Sequence, residues 1–237
     1  MKALIALLQF ATILPLGQPV DFEHFARHSY LYPLAGYIIG GLVALIVFWI
    51  SNQTIAAAIA IAALLFLSGC NHFDGLIDFG DGVMAHGDAE KRVRALTDRQ
   101  VGAGGVGLGL VITLILFASL QASTSIVMAI LIGEVCAKFS MALLTTIGTP
   151  FQEGTHSYLH QFSRPYFPVL AFLLCLPLIL LQVSPQKLVA AAVLMVLCPI
   201  ILLAISKQLF GGINGDVVGA SNEITRAAII LGMVIIA

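Results

Sequence analysis

Seven apolar runs, at about 33–50, 54–70, 104–122, 125–148, 165–183, 187–210 and 224–237, fill most of this 237-residue chain. Most come close to the roughly 20 residues an α-helix needs to cross a hydrocarbon core. Lipid offers no water to backbone amides and carbonyls, so runs of this kind fold as helices. Only 10% of the residues are charged and 59% are hydrophobic, against about 25% charged in a soluble domain. The chain therefore reads as an all-α polytopic membrane protein with six to seven transmembrane helices, one integral-membrane domain over residues 1–237. The opening stretch "MKALIALLQFATILPLGQP" has no small-x-small cleavage site, and Pro15 and Pro19 fall where one would stand. It reads as a short, retained interfacial or re-entrant helix.

Three pairs of runs are joined by brief links, "SNQT", "ASTS" and "SPQK", and so form antiparallel hairpins. Four longer polar segments, 17–32, 71–103, 149–164 and 211–223, then fall together on the opposite side. Lys2, Arg27, Lys91, Arg92, Arg94, Arg99, Arg164 and Lys207 lie in or beside those segments, whereas Lys187 borders a short link. Basic residues favour the cytoplasmic side, which places the longer segments in the cytoplasm and the protein in the cell membrane. The four cysteines show no CxxC or metal spacing and read as free buried thiols. A net charge of −1 without a basic tract gives no sign of a nucleic-acid partner. Whether the chain forms a homo-oligomer stays open.

Against this oily background "NHFDGLIDFGDGVMAHGD" concentrates acid. Asp74, Asp78 and Asp81 are spaced i, i+4, i+7, one stripe of a helix if the helix ending near Cys70 continues past the membrane edge. Three anions on one stripe repel each other, and a divalent cation relieves the repulsion. Oxygen-only ligands select a hard metal, Mg²⁺ or Mn²⁺, of the kind that also binds substrate phosphates. Gly75 and Gly82 remove side chains beside Asp74 and Asp81 and leave room for a bulky ligand. The competing reading is a solvated acidic loop.

Other polar groups extend the pattern. In "TDRQVGAGG", Asp98 could complete a metal set and Arg99 could meet a phosphate, with Gly102 beside them; a packing role for the glycines is the alternative. "GDVVGASNEIT" puts Asp216 and Glu223 seven apart on one helical face with Asn222, either as a second acidic patch or as a capped helix start. Glu134 and Lys138 lie mid-run at i, i+4, and ionisable groups at membrane depth are functional candidates by default. They read equally as a mutually neutralising pair. Glu153 and His156 could face the site, and His72 and His86 bracket the acidic stripe.

"HFDGLIDFGDG", "TDRQVGAGG" and "GDVVGASNE" together resemble the cobalamin-5′-phosphate synthase family, also called adenosylcobinamide-GDP ribazoletransferases. The family patterns H-x-D-G-x-x-D-x-x-D-G and G-D-x-x-G-A-x-x-E are met in every letter. "LQFATILPLG" is similar to the family's opening, with Ile13 where Arg is usual, and Asn214 stands where Thr is commoner. The resemblance runs nearly end to end. It implies joining of adenosylcobinamide-GDP to α-ribazole or its 5′-phosphate, with release of GMP, at a Mg²⁺ (or Mn²⁺) site in a membrane protein. Asp74, Asp78, Asp81 and Asp98 are then the expected catalytic and metal-holding carboxylates, Asp78 and Asp81 leading. The expected substrate contacts are His72, Gly75, Gly82, Arg99, Gly102, Lys138, Asp216, Asn222 and Glu223. A looser likeness sets "DFGDGVMAH" beside the start of CDP-alcohol phosphotransferases, with His86 in an Arg position and no match downstream. An ion-coupled transporter is a third reading, disfavoured because the acids gather on one side rather than at the midplane.

Overall fold

The computed structural model describes residues 1–236, and among them the regular structure is helical apart from one isolated parallel bridge, Pro150 to Ile213. In chain order the helices are α1 (Lys2–Ala11), α2 (Glu23–Ala26), α3 (Tyr32–Phe48), α4 (Gln53–Leu67), α5 (Asn71–Met84) and α6 (Ala89–Leu96). They continue as α7 (Ala103–Ala122), α8 (Ile126–Ile147), α9 (Thr155–Phe162), α10 (Phe167–Cys175), α11 (Pro185–Phe210) and α12 (Gly215–Ile235). A 3-10 turn, Ser29–Leu31, leads into α3, and another, Leu176–Leu180, prolongs α10. Five helical stretches are long and apolar enough to cross a membrane: Ser29–Phe48, α7, α8, α11 and α12. Two further passes are bent pairs, α4 with α5 at 93° and α9 with Phe167–Leu180 at 97°, for a total of up to 7. A polytopic all-α architecture is thus what the apolar runs build.

Local chemistry sets the helix ends. The Asn52 side chain accepts from the Ile55 amide at 3.0 Å and starts α4, and prolines stand in the first turns of α3, α10 and α11, where a missing N–H costs nothing. Gly211, at φ +81, ends α11 in the left-handed conformation. The centre of the bundle is α8, buried along nearly all of its length. It packs on α3 so closely that a Cβ on Gly36 would sit 2.7 Å from Val135 Cα, the close approach that small residues permit between membrane helices.

The two ends of the bundle differ. At one end the short links meet: Gln53 Nε2 donates to the Ser123 carbonyl at 2.7 Å, and a cavity joins Ser123–Ser125 to Gln182–Ser184 and Met233. At the other end lie α5, α6, α9 and the bridge between Pro150 and Ile213, together with the first turns of α7 and α12. The division into short links and longer segments is therefore a spatial one.

Three boundaries depart from the sequence reading. The run 54–70 does not continue straight into the acidic stripe; α4 stops at Leu67, and Gly69 (φ +60) and Cys70 (φ +59) turn the chain before α5 begins. The run 165–183 breaks at Cys175 into a 3-10 turn containing Pro177. The last helix starts at Gly215 rather than near 224, so Asp216, Asn222 and Glu223 belong to it rather than to a loop; Ala237, the end of the expected run, lies outside the described residues.

Candidate active site

After the bend at Gly69 and Cys70, α5 runs alongside the first turns of α7 and α12, with Phe73 against Gly109, Ile77 against Gly105 and His72 against Gly219. Its buried face carries His72, Gly75, Leu76, Phe79, Gly80 and Gly82, and Asp74, Asp78 and Asp81 lie on the more open side. Glycines set how closely α5 docks. A Cβ on Gly75 would lie 2.8 Å from the Asp216 carbonyl oxygen, one on Gly80 2.9 Å from Gly105 Cα, and one on Gly82 2.8 Å from Leu96 Cβ. Gly75 and Gly82 therefore admit neighbouring helices, and the room they were expected to leave for a ligand is filled by protein. Arg92 donates to the Val83 carbonyl at 2.8 Å and so satisfies an orphan acceptor at the end of α5.

The three carboxylates of the stripe have separate fates. Asp81 accepts from the Gly102 and Gly105 amides, each at 2.7 Å, one on each oxygen. It supplies the anion at the N-terminus of α7, whose N-cap Gly102 has no side chain to do so. Gly102, expected beside the substrate, is thus occupied with Asp81. Asp74 and Asp78 make no such bonds, and Asp216, in the first turn of α12, joins them across the Gly75 contact. Asp216, Asp74 and Asp81 all lie near enough to the half-buried Asp78 for their like charges to act on it. Asn214 caps α12 through Val217 N at 3.2 Å and donates to Asp216 Oδ2 at 2.6 Å, so an Asn serves this N-cap as well as a Thr.

Asp98 is not brought into this cluster. It is exposed and turns back on its own chain, accepting from Gln100 N at 3.0 Å, with Arg99 exposed beside it. Among the described residues no three His, Cys, Asp or Glu side chains converge into a ready-made metal cage. The donor chemistry of Asp74, Asp78 and Asp216 still fits a hard divalent cation of the kind held by one or two carboxylates and completed by substrate phosphates.

Lys138, Asn222 and Glu223 lie elsewhere than expected. They are buried between α8 and α12 in one closed network. Lys138 Nζ meets Glu134 Oε1 at 2.9 Å and Asn222 Oδ1 at 2.8 Å. Arg226 pairs with Glu134 Oε2 at 2.9 Å and with Glu223, and Asn222 Nδ2 donates to Glu223 Oε1 at 3.1 Å. Two cations and two anions neutralise one another, and none is open to a substrate. The sequence reading passed over Arg226; its spacing of three from Glu223 on one helix was the available signal.

Beside the carboxylates opens a pocket of about 180 Å³ between α1, α3, α5, α8, α9 and α12. His72, from the first turn of α5, lies in its wall against Gly219, whose added Cβ would be 3.3 Å from His72 Cα. His156 lines it from α9, whereas Glu153 and His86 are exposed.

The family model described as cobalamin-5-phosphate synthase matches residues 3–234. An adenosylcobinamide-GDP ribazoletransferase of Halorubrum lacusprofundi is 35% identical over 96% of this chain and 95% of its own length. Proteins of the same description from Methanocella arvoryzae (32% identical, 96% of this chain, 93% of its own length) and Methanococcoides burtonii (30%, 94% and 88%) are also similar. No solved structure matches the chain.

Proposed function

Because the chain belongs to the cobalamin-5-phosphate synthase family, we propose that it transfers an adenosylcobinamide phosphate group to a riboside: adenosylcobinamide-GDP and α-ribazole, or its 5′-phosphate, give adenosylcobalamin, or its 5′-phosphate, and GMP. The observation that carries this reading is the meeting of two distant motifs, with Asp216 of α12 held against Gly75 of α5 so that it joins Asp74 and Asp78.

Asp74, Asp78 and Asp216 would hold Mg²⁺, or Mn²⁺ in its place. Such a cation, when bound, neutralises pyrophosphate oxygens and the charge developing on the departing GMP. The chain's own residues supply the rest. Asp81 fixes α5 to the start of α7, so the stripe keeps its position while the charges beside it change. The riboside hydroxyl attacks the phosphorus attached to the cobinamide, its proton passes to a carboxylate oxygen of the cluster, and the phosphorus–oxygen bond to GMP breaks. The protein sits in the cell membrane with this end toward the cytoplasm, in keeping with the basic residues of α6 and its neighbours. Protein purified in detergent should release GMP from adenosylcobinamide-GDP only when α-ribazole and Mg²⁺ are both present, and chelation should stop release. A folded protein that releases none would remove this reading.

A further inference from the structure

The pocket beside the carboxylates carries a hydrogen-bond acceptor with nothing to accept. His156 Nε2 lies 3.0 Å from the Gly148 carbonyl oxygen, which can only accept, so Nε2 carries a proton. The residue is 2% exposed and makes no ion pair among the described residues, so a second ring proton would bury an unpaired charge, and the ring is neutral. Nδ1 is then a bare lone pair, buried and without a partner, in the pocket wall. Such an orphan forfeits its hydration on folding, and a ligand that brings an O–H or N–H restores the lost bond.

The rest of the lining narrows the ligand. Phe10, Tyr32 and Leu159 make apolar walls, and no Lys or Arg is among the lining residues, so a phosphate would enter without a counter-charge. The one charged side chain is Asp216, from the acidic cluster itself. At about 180 Å³ the pocket admits a fused bicyclic ring but not a corrin.

We propose that this pocket is the subsite of the uncharged nucleoside, α-ribazole, with its fused aromatic base among Phe10, Tyr32 and Leu159 and a ribose hydroxyl donating to His156 Nδ1. The proposal rests on the transfer reaction above. A second hydroxyl then faces Asp216 and the cluster where attack occurs, and a 5′-phosphate stays outside the pocket.

The wild-type protein is assayed first; absence of α-ribazole-dependent GMP release would defeat the reaction itself, whatever the pocket holds. With the reaction running, His156→Gln keeps an N–H for Gly148 and removes the Nδ1 acceptor. The KM for α-ribazole should rise about tenfold, the value of one net hydrogen bond, while the KM for adenosylcobinamide-GDP and the melting temperature stay at their wild-type values. Equilibrium dialysis of radiolabelled α-ribazole alone should show the same loss. Thr155→Trp, at an exposed position on the pocket rim, should raise the same KM by obstruction. An active wild type whose His156→Gln variant shifts the KM for adenosylcobinamide-GDP instead, or shifts neither KM, overturns the proposal. If His156→Gln fails to fold, an unchanged α-ribazole KM in Thr155→Trp does so.

Discussion

Two groups of charged side chains lie close together at α12, and they are opposite in kind. Between α8 and α12, Glu134, Lys138, Glu223 and Arg226 are fully buried and balanced charge for charge. On α5 and the first turn of α12, Asp74, Asp78 and Asp216 are partly open, of one sign, and paired with no Lys or Arg among the described residues. The buried group is balanced and holds helices together. The acidic group is unbalanced, and its like charges give it capacity to bind a cation. The family motif alone would assign Glu223 and Asp216 the same role, and their burial and partners separate them.

Substitutions can break that contrast, and the largest effect is expected in the buried group. Glu134→Ala leaves Lys138 and Arg226 without their shared anion, and loss of one partner from a buried ion network costs about 3–5 kcal/mol. Thermal unfolding in detergent should show a steep drop, and turnover should fall only as folded protein is lost. Asp78→Asn is the converse. Turnover should fall on the order of 10²–10³-fold, the range seen when a group stabilising transition-state charge is removed, while the melting temperature holds or rises because repulsion is relieved. A marked loss of stability there would place Asp78 with the structural charges.

Gly75→Ala tests the contact that joins the motifs. Its Cβ would meet the Asp216 backbone, and overpacking of this kind costs about 1–3 kcal/mol. Turnover should drop further than stability, because separation of α5 from α12 pulls Asp216 away from Asp74 and Asp78. The smallest effect belongs to Asp81→Ala. It removes the capping carboxylate of α7, a loss of about 0.5–2 kcal/mol, and its fall in turnover should follow the unfolding curve. A variant that melts normally yet is inactive would return Asp81 to the chemical site.

Much of the fold was legible because hydropathy reports lipid exposure directly. The runs that became α3, α7, α8 and α11 were located to within a few residues. The start of α12 was missed because Asn222, Glu223 and Arg226 lower its apolar character, and the groups that make them tolerable lie far away, 84 residues from Asn222 to Lys138 and 92 from Arg226 to Glu134. The stripe of Asp74, Asp78 and Asp81 was legible from local spacing. The separate role of Asp81 was not, since its amide partners come 21 and 24 residues later. The bend before α5 was hidden because helical spacing on each side of Gly69 and Cys70 is unbroken, and only backbone conformation records the turn. The pocket, assembled from six helices, had no signature in any one segment beyond His72 and His156.

The 93° turn between α4 and α5 has a consequence for the dielectric environment of the acids. The turn brings α5 alongside the first turns of α7 and α12: Phe73 faces Gly109, Asp81 holds Gly102, and Gly75 meets Asp216. The seven residues from Asp74 to Asp81 cover about 10 Å along the helix. Each carboxylate therefore meets a different polarity, Asp81 at the start of α7 and Asp74 beside the first turn of α12.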